Sequence, residues 1–213
     1  MDITVFGATG SVGGRVVAEA PARDHRVTAV VRTPARLPEL PAAALGRTGD
    51  VRSAERVAEL SAGQDVVVGA TRPAPGSEGE LATTRTLLAG AAAAGARLLV
   101  VGGAGSLTVP GAGGRTVLDD PRYLRPDWRA IAEAGAGQLA ACRADASGAD
   151  WTYLSPPARL EPGERTGRCR LGTDELLTDA DGVSRITVAD LAVALLDEAE
   201  NPRHRRARFT VAY

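Results

Sequence analysis

The chain has 213 residues, 44% hydrophobic and 24% charged, with a formal net charge of -1, enough apolar material for one self-sufficient globular core. So balanced a charge argues against nucleic acid or a membrane surface as a partner, leaving a small molecule as the expected one. All 25 basic residues are arginine, which closes every mechanism that needs a lysine: a Schiff base, a P-loop ammonium or a Tyr-Lys pair.

Periodicity predicts strands alternating with helices from the start. Ile3 to Phe6 is a short apolar run that ends at glycines, as a buried parallel strand does. A helix is expected from Gly13 to Ala20, stopped at Pro21, then a second strand from Arg26 to Val31. A weak third strand falls near Arg47 to Gly49, before a helix from Ser53 to Leu60. Val66-Val67-Val68 is the fourth strand, Glu80 to Ala94 a helix, and Leu98 to Val101 the fifth strand. A Gly- and Pro-rich loop leads to a helix from Trp128 to Ala146, which Gly135 and Gly137 weaken. Trp151 to Leu154 is the sixth strand.

Beyond it the pattern is less regular, with Leu176-Leu177 in a short strand or hairpin. Thr187 and Asp190 have capping-box spacing and open a helix that Asn201-Pro202 ends. Arg208 to Val211 closes the chain as a last strand. The alternation predicts an α/β fold, a Rossmann-type doubly wound parallel sheet in a single domain over residues 1–213. The irregular part, 155–213, is expected to fold over one sheet edge and supply substrate-side elements.

The loop after the first strand reads Gly7-Ala8-Thr9-Gly10-Ser11-Val12-Gly13 and opens a helix. Glycines there permit a tight turn and close backbone approach to a pyrophosphate, while the helix N-terminus offers free N–H groups. A dinucleotide is the expected ligand, with Gly7, Thr9, Gly10, Ser11, Val12 and Gly13 around its phosphates. At the end of the second strand stand Arg32 and Arg36 where an Asp or Glu would favour NAD. Guanidinium groups suit a 2′-phosphate, so NADP(H) is expected over NAD(H). Asp50 and Val51 fall beside the adenine, and Ala70-Thr71-Arg72 beside the ribose or nicotinamide. Gly103, Ser106, Ser155 and Pro156 follow the fifth and sixth strands.

GATGSVG, VVRTPAR, Gly49-Asp50, VVGGAGS and the tail from Ser155 to Tyr213 resemble the NAD(P)H-binding group of atypical short-chain dehydrogenases. That group includes NmrA-like proteins and the biliverdin/flavin reductase of animals, and the resemblance covers nearly the whole chain. It implies a Rossmann fold, a dinucleotide held by Gly7, Thr9, Gly10, Val12 and Gly13, and an arginine at Arg32 that reads the 2′-phosphate. It implies no particular substrate. The chain departs from the Tyr-x-x-x-Lys pattern of dehydrogenase relatives: the fourth residue after Tyr123 is Asp127, and Trp128-Arg129 stand near the start of the following helix.

Proton donors are few. Ser106 and Tyr123 are the candidate catalytic residues. Tyr153 is expected in the core, His25 in a surface loop at the opposite sheet end, and His204 in a solvated basic segment; Asp119-Asp120 reads as a turn cap. This scarcity favours hydride transfer from NADPH to a flavin, quinone or similar conjugated acceptor, which takes its proton from water. The alternatives are a non-catalytic NADP(H) sensor of NmrA type and a tailoring reductase or epimerase for one metabolite. Cys142 and Cys169 lack metal-site or CxxC spacing, so no metal site is expected and both read as packing residues. Two isolated cysteines and a strand-like opening without a signal-peptide pattern suit a cytoplasmic chain. Oligomeric state is not written in the sequence.

Overall fold

The computed structural model describes residues 1–71 and 77–213. Its main sheet has eight strands in the order β3-β2-β1-β4-β5-β6-β10-β8. β1 (Asp2–Phe6), β2 (Arg26–Val31), β3 (Ala44–Thr48), β4 (Val66–Gly69), β5 (Arg97–Val101), β6 (Trp151–Ser155) and β10 (Ala207–Ala212) run parallel. β8 (Arg170–Gly172) closes one edge antiparallel to β10. β7 (Arg159–Glu161) and β9 (Arg185–Thr187) form a separate parallel pair. This is the expected doubly wound arrangement.

The central strands are apolar on both faces because helices cover both. Ile3, Val5, Val66, Val68, Leu154 and Phe209 face a cluster shared with α1 (Ser11–Glu19) and α5 (Val188–Glu200). Phe6, Val67, Leu98, Val100, Trp151 and Tyr153 face the other cluster, with α2 (Ala54–Ser61), α3 (Ser77–Ala94) and α4 (Arg129–Arg143). Thr4 lies wholly buried in β1, and its hydroxyl donates to the Leu60 carbonyl at 2.8 Å.

Several boundaries differ from expectation. α1 begins two residues early because Gly10, an extended N-cap, already ends the turn. β3 lies three residues earlier, a half-exposed strand without a β-branched run to mark it. α4 stops at Arg143. Gly135 within it is no defect, since a Cβ there would come 3.0 Å from the Gly103 Cα. The largest correction concerns 155–213. Only β8 lies at the edge: β10 enters the parallel sheet beside β6, and α5 packs on α1 as a principal core helix. Leu176 is buried, but it sits beside the isolated bridge of Thr108 and Glu175 and not in a named strand.

The tightest packing is at the first turn. A Cβ on Gly13 would fall 2.2 Å from the Gly7 carbonyl oxygen, whereas one on Gly14 would meet only the Ala8 oxygen at 3.4 Å. Gly13→Ala should therefore cost about 2–4 kcal/mol of stability in urea unfolding, through strain the backbone cannot relieve. Gly14→Ala, in the same helix, should be neutral or stabilise by up to about 1 kcal/mol.

Candidate functional site

In a doubly wound sheet the open crevice lies beyond the carboxyl ends of the strands where the order reverses, here between β1 and β4. Gly7 has φ +82°, and a Cβ on it would strike the Ala70 carbonyl oxygen at 2.4 Å. Its own carbonyl accepts the Gly10 N–H at 2.9 Å, and the Ala70 N–H donates to Phe6 at 3.0 Å. The turn thus ties the end of β4 to the entrance of α1. Gly10 offers no capping side chain, no side chain caps α1, and its first turn has no acidic residue. The amide end of α1 keeps its partial positive charge, with Thr9 half-buried and Ser11 exposed beside it. Val12 packs back against the core. Thr71 is half-buried at the exit of β4, and Arg72 lies outside the described residues.

At the end of β2 the two arginines differ. Arg36 is held by Glu39, with Nη2 to Oε2 at 2.6 Å. Arg32 is exposed and makes no hydrogen bond or ion pair among the described residues. Next to it, Asp50 accepts from the Arg52 guanidinium, and that bond, with the charge of Arg32 behind it, holds the Asp50 carboxyl below its usual range. Gly49 N–H donates to the Val31 carbonyl at 3.0 Å. The carbonyl of Val51 is taken by the Thr86 hydroxyl of α3.

The other strand ends are tightly bound within the protein. Tyr153 is core, as expected, yet its hydroxyl donates to the Gly135 carbonyl at 2.6 Å and accepts the Gly103 N–H at 3.1 Å. Burial pushes its phenol well above the ordinary range. The Ser106 hydroxyl accepts from the buried Arg208 at 2.9 Å, and Arg208 is in turn bound by Asp174. The Tyr123 hydroxyl donates to the Gly182 carbonyl at 3.1 Å. Ser106 and Tyr123 are therefore fastened to different segments and not to each other. Ser155 and Pro156 are buried, and the Ser155 hydroxyl has no hydrogen-bond partner among the described residues.

Asp120 is buried; more than a turn cap, it binds Arg122 at 2.6 Å, and the Arg122 guanidinium draws its pKa down to about 2. Neither histidine is near the crevice. His25 precedes β2 and meets Glu200 at 2.9 Å. His204 is not solvated as expected: its Nδ1 lies 2.8 Å from Glu198, and its ring stacks on Phe209 at 4.8 Å. Burial pushes the Cys142 thiol up to about 12, consistent with a packing role. Among the described residues no cluster has the makings of a metal site, and no helix is long and apolar enough to cross a membrane.

The profile of the family described as NAD(P)H-binding matches residues 7–199, from the first glycine of the turn to near the end of α5. The chain belongs to this family. The uncharacterized protein YwnB of Bacillus subtilis is 37% identical over 214 residues, covering 99% of this chain and 98% of that protein. A candidate epimerase from Bacteroides thetaiotaomicron is 36% identical with a TM-score of 0.89, covering 100% of this chain and 96% of that one. A candidate NADH-flavin reductase from Streptococcus pneumoniae is 30% identical with a TM-score of 0.80, covering 100% and 99%. A nicotinamide dinucleotide is thus the ligand class of this NAD(P)H-binding chain, and the crevice at α1 has the donors and open backbone that such a ligand requires.

Two networks of this family member escaped the sequence. Arg97, at the start of β5, is buried against Glu198 at 2.5 Å and donates to the Glu198 carbonyl and the Thr152 hydroxyl. The other joins the C-terminal residue to α5. Thr187 caps α5 as expected, taking the Asp190 N–H at 3.1 Å, but the reciprocal half of the capping box is absent. The Thr187 N–H goes to the Tyr213 hydroxyl, which donates to Asp190 at 2.6 Å. Asp190 also accepts from Thr166 and Gly167.

Burial opposes the Asp190 charge, but the bonds from Tyr213, Thr166 and Gly167 outweigh it and leave the pKa lowered. A lowered folded pKa stabilises above the unfolded value near 4, and that contribution is lost as pH falls through the folded one. Asp190→Asn should therefore cost about 1–3 kcal/mol at pH 7. Its deficit relative to wild type should shrink below about pH 4 in urea unfolding followed against pH.

Proposed function

We propose that this chain is an NADP(H)-dependent oxidoreductase that passes hydride to a flat conjugated acceptor such as a flavin or quinone. The observation that carries the nucleotide half is the uncapped amide end of α1 beside β4, with Arg32 uncommitted at the end of β2. In this reading the N–H groups of Ser11, Val12 and Gly13 hold the pyrophosphate, with Gly7, Thr9 and Gly10 shaping the turn. Arg32 receives the 2′-phosphate through charge-assisted hydrogen bonds. Arg36 can join only by releasing Glu39, so it ranks second. Asp50 and Val51 border the adenine side, and Ala70, Thr71, Gly103, Ser155 and Pro156 border the nicotinamide side.

The bound NADPH supplies a hydride, two electrons with one proton. The second proton required by a flavin or quinone comes from water, so the protein need only hold the two rings in line. What supports this acceptor class is the disposition of the protein's own hydroxyls. Tyr153 is buried and doubly bonded, and Tyr123 gives its proton to Gly182. Ser106 accepts from Arg208 but donates its proton to no described residue, and the buried Ser155 hydroxyl has no partner among them, so these two can bond an acceptor oxygen. The chain contains no lysine to sharpen any of them. The 30% identical Streptococcus pneumoniae protein, a candidate NADH-flavin reductase, points the same way.

Calorimetry of both nucleotides tests the first half. Arg32→Ala should weaken NADPH binding about tenfold or more, the loss of one charge-assisted pair, while leaving NADH within about twofold. Equal losses for the two nucleotides would remove Arg32 from the 2′-phosphate. For the second half, NADPH oxidation is followed at 340 nm with free FMN, menadione and a simple ketone. Turnover is expected with the first two and not the third; tight binding without any turnover would mean a nucleotide sensor instead.

A further inference from the structure

The chain has seven aromatic residues, and the fold accounts for six of them. Phe6, Trp151, Tyr153 and Phe209 are buried in the two main clusters. Tyr123 and Tyr213 are half-buried and hydrogen-bonded through their hydroxyls. The seventh, Trp128, is 54% exposed at the N-cap of α4, and Ile131, three residues on, is 51% exposed.

Their place in the fold matters more than their exposure. At helical spacing Trp128 and Ile131 lie on the same stripe of α4 as Gly135 and Leu139. Lower down, that stripe is pressed onto the loop leaving β5: Gly135 lies against Gly103, and a Cβ on Gly105 would fall 2.5 Å from the Ala132 carbonyl oxygen. The stripe therefore emerges from under this loop at its upper end, on the carboxyl side of the sheet, as an indole with a branched aliphatic neighbour. The same loop carries Gly103, placed above on the nicotinamide side. An indole half-exposed beside a branched aliphatic side chain offers a flat apolar surface on which a planar ring gains burial.

We propose that Trp128, with Ile131, is the platform on which the planar conjugated acceptor stacks. This deepens the reading of the previous subsection and rests on it for the identity of the occupant as a conjugated ring. Indole suits that occupant because offset stacking satisfies any flat π-system without matched hydrogen bonds, and so tolerates a range of acceptors. The flanking charges add little: Arg129 pairs with Glu133 at 2.9 Å and Arg125 with Asp127 at 3.6 Å, all of them exposed.

The test uses the full chain saturated with NADP+, so that no electrons move, and titrates FMN while tryptophan fluorescence and heat are recorded. Trp151, buried at 3% exposure, is the internal reference. Saturable quenching is expected in wild type, and a smaller amplitude in Trp128→Phe, where only Trp151 is left to report. By calorimetry, FMN should bind about tenfold more weakly to Trp128→Ala, and Trp128→Phe should recover most of that loss. NADP+ affinity should be the same in all three.

Unchanged FMN affinity in Trp128→Ala overturns the platform. So does a wild-type dimer that Trp128→Ala converts to monomer in light scattering, which would give this face to a second copy of the chain. Failure of the nucleotide reading is separately visible, because NADP+ would then produce no heat of its own while the FMN titration remained readable.

Discussion

Three backbones meet at the first turn with no room for a side chain, and much else in the molecule follows from that crossing. The carbonyl of Gly7 lies where a Cβ on Gly13 would have to go, and the carbonyl of Ala70 where one on Gly7 would. The approach locks α1 to β1 and β4 at a fixed height above the sheet. It also places glycine at the N-cap, where serine, threonine or aspartate would satisfy amide groups of the helix. α2 and α5 have such caps, Ser53 and Thr187, each with an acidic residue in the first turn. α4 has none, but it continues directly from a 3-10 turn, Pro126–Trp128, at its N-terminus. α1 alone of these four carries an unopposed positive end at the crevice. Packing thus generates the electrostatics, and the electrostatics select an anion.

Most polar side chains around the rest of the crevice serve to fix the loops. Tyr153 illustrates this: its phenol bridges the β5 loop to Gly135, so it holds the glycine segment in place and has no proton to spare. Arg208 does the same for Ser106 from β10, with Asp174 behind it. A site so arranged is stiff in outline and poor in acid–base groups. Stiffness is what the proposed alignment of two rings would demand, and such a transfer needs little proton chemistry from the protein.

The front half of this design was legible in the sequence because its determinants are local. A glycine spacing reports a steric collision within ten residues, and a short β-branched run between turn signals reports a strand buried on both faces. The cofactor class, the succession of strands along the chain through β6 and the identity of the capping threonine all follow from such signals. The back half was opaque for a physical reason. β7, β8 and β9 are three residues each with mixed burial, too short for any period to register. Arg97 carries its charge at a strand start and is buried only because Glu198, 101 residues on, meets it, and the same carboxylate holds the His204 ring that reads as solvated. Tyr213 replaces half of a capping box from 26 residues away, a substitution that no local pattern contains.

The two ends of the sheet divide the labour. At the amino ends of the strands, charges are tied to one another: Arg97 with Glu198 and His204, Arg26 with Asp2, Arg205 with Asp150, and Arg23 with Glu19, Asp197 and Glu200. At the carboxyl ends Arg36 and Arg52 are paired too, but the head of α1 and Arg32 meet no acidic side chain among the described residues. Parallel strands make this separation natural, because every helix that returns from a carboxyl end brings its own C-terminus to the amino edge, where basic side chains can meet it. The arginines gathered there neutralise acids borne by the last turns of α1 and α5, and so hold the helices that flank the turn. Arg32 stands on the opposite edge, within electrostatic reach of Asp50 but with no hydrogen bond or ion pair among the described residues. A guanidinium that makes no ion pair among the described residues, next to an open helix end, offers a phosphorylated ligand two positive features at no cost of a broken pair, which is why the proposed reading places the nucleotide there.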